Sequence, residues 1–150
     1  MAKDDGSGLF GCRPVLSVNS VSKSIEYYVV SLGFHLGLTW SSTEGRFLSP
    51  GDVSEPTFAL VGRGQVQLFL SQKSQGAPGM WLHLDVHTAD QLDTLHQEWA
   101  RSGARIIEPP SLRPWGMYEM RVQDLDSHTL RVSAPPKRNT EPDVSAQSQA

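Results

Sequence analysis

A helical stripe closed by glycine occurs twice in this chain, each time between strand patterns, and that duplication constrains the fold more than any other feature. In the first copy a strand runs from Arg13 to Val18, with Leu16 and Val18 on one side and Arg13, Val15 and Ser17 on the other. The Asn19–Ser22 stretch supplies capping side chains, and a helix is predicted to about Leu32. Its Ile25, Tyr28, Val29 and Leu32 fall at i, i+3, i+4 and i+7, one apolar face of a helix. Gly33 follows, suited to the left-handed position just past a helix end. In the second copy the strand is Met80–Val86, with Leu82, Leu84 and Val86 opposed to Trp81, His83 and Asp85. Thr88 and Gln91 then form a capping box, Leu92, Leu95 and Trp99 stripe the helix, and Gly103 stands where Gly33 stood.

Each helix leads into further strands. After the first come Phe34–Trp40, a polar loop at 41–56, and a hairpin of Thr57–Gly62 and Gln65–Ser71. In that last strand Val66, Leu68 and Leu70 share a face, leaving Gln67 and Phe69 opposite. After the second come Ala104–Glu108, a proline-rich bend at 108–114, and two alternating strands around Asp124–His128. There Tyr118, Met120, Val122, Leu130 and Val132 share one face, and Glu119, Arg121, Gln123, Thr129 and Arg131 the other. The reading is an α+β fold of paired βαβββ modules, 13–71 and 80–134, within a single domain 13–134. A flexible leader is expected at 1–12 and a disordered tail at 135–150, where apolar periodicity is lacking. Each sheet packs one face on its helix and leaves the other open, so the two curved mixed sheets are expected to form a cleft.

Composition excludes several function classes. A net charge of −3 over 150 residues argues against a nucleic-acid binder, which normally carries a basic face. No apolar run approaches a membrane span, so no membrane partner is expected, and the polar start gives no expectation of a signal peptide. Cys12 is the only cysteine, which precludes an intramolecular disulfide and fits the reducing cytoplasm.

The residues also resemble a known superfamily. Pro14-Val15-Leu16, Ser24-Ile25-Glu26-Tyr27-Tyr28 and Leu32-Gly33-Phe34 look like the opening of the vicinal-oxygen-chelate proteins. Trp115-Gly116-Met117-Tyr118-Glu119 and Asp124-Leu125-Asp126-Ser127-His128 resemble their closing signature, with Tyr118, Leu125 and Ser127 replacing the usual Arg, Pro and Gly. That superfamily holds glyoxalases, extradiol dioxygenases and bleomycin resistance proteins. The resemblance implies metal ligands, in its enzymes, at the places of Arg13, Phe69, His83 and Arg131. Only His83 is a ligand type, and arginine does not deprotonate to serve. The expectation is therefore no metal and no cofactor, with His83 the one ligand if a metal is present.

What remains resembles the bleomycin resistance branch, which implies a homodimer that binds a drug in its clefts without changing it. On that reading Phe69, Trp81 and Trp115 supply stacking surface, Asp85 and Glu119 hold cationic groups, and Arg13, Arg121 and Arg131 anionic ones, with His83 as a hydrogen-bonding residue. No catalytic residue is assigned, and the chain leans away from being an enzyme. The alternatives are a metal-dependent lyase or dioxygenase of the same superfamily, metal-free proton transfer by His83, Asp85 and Glu119, or a generic metabolite-binding module.

Overall fold

The computed structural model describes residues 5–137. Of the expected leader, residues 1–4 lie outside the described residues, and of the expected tail, residues 138–150 do. Residues 5–14 form neither strand nor helix.

The first module runs β1 (Val15–Val18), α1 (Val21–Glu26), β2 (His35–Ser41), β3 (Arg46–Phe47), β4 (Phe58–Arg63) and β5 (Val66–Gln72). The second runs β6 (Trp81–Asp85), α2 (Ala89–Arg101), β7 (Arg105–Leu112), β8 (Tyr118–Gln123) and β9 (Thr129–Ala134). The sheets are ordered β1-β5-β4-β2-β3 and β6-β9-β8-β7. In both, the first strand lies parallel to the last, beyond which the neighbours are antiparallel. The duplicated pattern therefore becomes a duplicated topology.

Local chemistry accounts for the elements. Ser20 and Thr88 cap the two helices, their hydroxyls accepting from the backbone N–H of Lys23 and Gln91. Gly33 and Gly103 adopt φ of +72° and +86°, conformations that cost little only without a side chain. The first helix differs from the expected single stripe. From Tyr27 to Ser31 it widens to a π-helix, with Leu32 N–H reaching the Tyr27 carbonyl. The extra residue rotates the stripe so that Tyr27 and Tyr28 are both buried, while Val29 is only partly so. The proline-rich bend is likewise absorbed into a strand. Pro109 and Pro110 sit within β7, an edge strand whose register slips there. At the closing turn Ser127 takes the left-handed conformation (φ 63°), and Asp124 Oδ1 accepts from the N–H of Asp126 and His128.

One core joins the modules. Leu16, Leu68 and Leu70 from the first sheet and Met120, Val122 and Leu130 from the second belong to the same buried cluster. Truncating a fully buried leucine of this kind costs roughly 2–5 kcal/mol. The joint is also hydrogen-bonded, in a matched way: the β4–β5 turn reaches α2, and the β8–β9 turn reaches the first helix. Arg63 donates to the Leu32 carbonyl (2.7 Å) and pairs with Glu98, and Trp99 Nε1 donates to the same carbonyl (2.9 Å). Tyr28 donates to Asp124 Oδ2 (2.8 Å), and burial together with that carboxylate pushes the phenol well up from its ordinary pKa. His128, fully buried, accepts from Met80 N–H at Nδ1 and donates from Nε2 to the Ser17 carbonyl (2.7 Å).

Candidate functional site

With one face of each sheet on the shared core, the other faces carry the chemistry, and they differ. On the first sheet, alternation along β4 and β5 turns Ala59, Val61, Leu68 and Leu70 inward and Phe58 and Phe69 outward. Phe58 stacks on Phe69 with centroids 5.0 Å apart at 28°. Trp40 lies opposite Phe58 in register and meets Phe47 edge-on at 4.9 Å. These rings and Leu38 wall an open hollow of about 790 Å³, with Gln72 and Gln75 supplying amide groups. Arg13 places its guanidinium 5.9 Å from the Phe69 centroid.

The wall at Phe47 belongs to the segment expected to be only a loop. Its β3 pairs with β2, Trp40 opposite Phe47 and Ser41 opposite Arg46. Arg46 clasps Asp52 (3.0 Å), and that bond holds the Asp52 carboxyl down at about 2.

The open face of the second sheet is ionic, and its register sets out two rows. One runs His83, Arg131, Arg121, Glu108 across the four strands; the next runs Asp85, Ser133, Glu119, Ser111. Arg131 Nε donates to His83 Nδ1 (3.1 Å), and His83 Nε2 lies 3.2 Å from Asp85 Oδ1. An accepting Nδ1 requires the proton on Nε2, so both imidazole nitrogens are engaged. Glu108 is shared by two buried arginines, Arg113 at 2.8 Å and Arg121 at 3.5 Å. Trp81, 55% exposed, lies 5.1 Å from the Arg121 guanidinium. Trp115 Nε1 donates to Glu119 Oε2 (3.2 Å). Glu119 Oε1 and Ser133 Oγ, cross-strand neighbours, are buried without a hydrogen-bond partner among the described residues.

The expected site residues thus fall into two groups. Trp81, His83, Asp85, Trp115, Glu119, Arg121 and Arg131 gather on the second sheet; Arg13 and Phe69 lie against the first. The aromatic hollow is lined by Phe69 and by none of the second-sheet group. Glu119 and Arg121, expected to face a ligand, are buried, because Trp115 and Trp81 fold against them. Arg13 meets Phe69, and Arg131 meets His83. Sequence reasoning missed Phe58, although its alternation with Ala59 and Val61 was the signal for it. It also missed Arg113, which no pattern singles out.

A superfamily metal does not fit these residues. The four corresponding places hold two arginines, a phenylalanine and a histidine whose nitrogens are both occupied. Among the described residues no group of three or more His, Cys, Asp or Glu is placed to hold a metal ion.

Residues 13–132 match the Glyoxalase/Bleomycin resistance protein/Dioxygenase superfamily. The chain belongs to that superfamily. Solved structures agree on the fold. TioX from Micromonospora sp. ML1 is 17% identical with a TM-score of 0.66, over 84% of this chain and 100% of that one. The bleomycin-binding protein of bleomycin-producing Streptomyces verticillus, solved with copper(II)-bleomycin, is 24% identical with a TM-score of 0.60, over 91% and 100%. A glyoxalase/bleomycin resistance protein/dioxygenase from Nocardioides is 14% identical with a TM-score of 0.62, over 91% of each chain. No curated protein matches the sequence. Among the described residues no helix is long and apolar enough to cross a membrane.

Proposed function

We propose that this protein, a cytoplasmic homodimer with residues 13–134 as its one domain, binds a small aromatic or amphiphilic molecule without transforming it. The observation that carries this reading is the hollow of the first sheet. Aromatic rings wall it, and its polar groups are amides and hydroxyls, which hold a ligand but do not move protons at neutral pH. A volume of about 790 Å³ suits a drug-sized molecule or the flat portion of a larger one.

The division of the site supports a dimer. β1 and β6 are edge strands, each with one neighbour. A second copy that sets its ionic sheet beside the aromatic sheet of the first makes a two-sided cleft, used twice under two-fold symmetry. A glycopeptide antibiotic of the bleomycin kind, sequestered in that cleft as a means of resistance, is the ligand that the likeness to the Streptomyces verticillus protein suggests.

Titration of intrinsic tryptophan fluorescence with bleomycin, with and without copper, tests the reading alongside a light-scattering measurement of mass. Quenching at micromolar drug by a dimer is the expected result. A folded dimer that shows none would leave a binding module for some other metabolite. Stoichiometric metal in chelator-free protein, or a turnover lost in His83→Ala, would overturn the reading altogether.

A further inference from the structure

We propose that the open face of the second sheet is a carboxylate receptor, with Arg131 as its donor and His83 and Asp85 as the groups that aim it. The inference rests on the reading above only in that the protein binds a small aromatic molecule, and not on the hollow of the first sheet.

Three observations converge on Arg131. Its Nε is committed to His83 Nδ1 at 3.1 Å, and His83 is itself oriented by Asp85 at 3.2 Å. A guanidinium held at Nε keeps its two Nη groups available as a fork of the spacing a carboxylate matches. Those Nη groups make no hydrogen bond or ion pair among the described residues. Part of the ordering entropy that a flexible arginine normally loses on binding an anion is therefore already lost in the free protein.

The second observation is the neighbour. Arg121 stands directly opposite Arg131 on the adjacent strand, and like charges in that relation destabilise a sheet. Glu108 and the Trp81 ring compensate Arg121. Among the described residues no ion pair or ring contact of that kind is found at Arg131. Of the nearby carboxylates, Asp85 is engaged with His83, and Glu119 accepts from the Trp115 indole at one oxygen while the other has no hydrogen-bond partner among the described residues. An anion placed at Arg131 relieves the repulsion as well as gaining two charge-assisted hydrogen bonds.

The third is Trp81. It is 55% exposed while lying 5.1 Å from the Arg121 guanidinium, a large flat surface two positions from His83 on the same strand face. An aromatic ring bearing a carboxylate reaches both the indole and the fork. The ligand class is accordingly an aromatic carboxylate.

Indole N–H resonances separate the two faces, since Trp40 belongs to the first sheet, Trp81 to the second and Trp99 to the core. Full-length protein is titrated with naphthalene-2-carboxylate and, separately, with the neutral naphthalene-2-carboxamide. We expect the acid to move the Trp81 signal and to bind about tenfold more tightly than the amide. Arg131→Gln removes that preference, and His83→Leu lowers it to about threefold, because the fork is then no longer held. Both replaced side chains are partly exposed, and an unmoved Trp99 signal certifies each variant as folded. Equal affinity for acid and amide, or a preference that survives Arg131→Gln, overturns the proposal. So does inorganic phosphate that displaces the acid at equal concentration. A Trp81 response without any at Trp40 defeats the aromatic-hollow reading and leaves this one standing; the reverse pattern does the opposite.

Discussion

The two modules share one connectivity and carry opposite chemistry on their open faces. The first sheet presents Trp40, Phe47, Phe58 and Phe69 around a hollow. The second presents rows of paired charges, with Trp81 and Trp115 laid against Arg121 and Glu119. Apart from the short edge strand β3, strand order is the same in both sheets, so backbone topology does not decide what a face binds. The difference lies in the outward residues of each strand, which the core does not constrain. The cost differs too. An aromatic face gains from every ring it keeps dry, whereas a buried charge must be matched by another or it destabilises.

That contrast is tested hardest at Glu108. Glu108→Ala strips the shared carboxylate from Arg113 and Arg121, and we expect a loss of about 2–3 kcal/mol in urea unfolding. Binding of a neutral aromatic probe by the folded fraction should stay within about twofold, since Phe58 and Phe69 are on the other sheet. A stable Glu108→Ala protein would mean that the ionic face is not part of the structural framework.

The reciprocal experiment is Phe58→Ala. It opens the stacked pair and should weaken a neutral aromatic probe about tenfold, measured calorimetrically, while leaving discrimination at Arg131 unchanged. An unaltered affinity would remove the aromatic hollow from the site.

Glu119→Gln asks whether the second face carries unrelieved charge. The carboxylate receives one indole N–H, and its other oxygen lies buried opposite Ser133 Oγ. An amide donor there satisfies the hydroxyl and removes a buried charge, so stability should rise by about 1 kcal/mol. A fall of that size would show that the charge itself is needed.

The smallest effect belongs to the first module's loop. Asp52 titrates at about 2, down from its ordinary 3.8, because Arg46 hydrogen-bonds its charged form. A carboxyl depressed on folding contributes its stabilisation above the higher value and loses it as pH falls through the lower. The Trp40 indole signal should therefore shift between about pH 4 and pH 2, and Asp52→Asn should abolish that step. An unchanged step in Asp52→Asn would assign it to another carboxyl.

Much of this architecture is legible in the chain. Alternation sorted Leu82 and Leu84 from Trp81, His83 and Asp85, and Leu68 and Leu70 from Phe69, because a strand's period of two leaves no other arrangement. The capping residues Ser20 and Thr88 and the positive-φ glycines Gly33 and Gly103 stand where the pattern placed them. Phe47 was less accessible, since a two-residue strand has no periodicity to detect. The π-helical turn at Tyr27–Ser31 was hidden for a related reason: what accompanies it is long-range, hydrogen bonds from two tyrosine hydroxyls to Gln123 and Asp124.

The sequence by itself determined the doubled βαβββ plan, the inward and outward residues of most strands, and the superfamily, because these depend on local periodicity and short motifs. Tertiary structure decided which outward residues share a surface and which are buried there. Glu119 and Arg121 read as open anchors until Trp115 and Trp81 are seen folded against them, and Arg131 gains its direction only from His83 on a strand 48 residues away. Partners so distant in sequence are set by strand order, and no local pattern in the chain encodes that order.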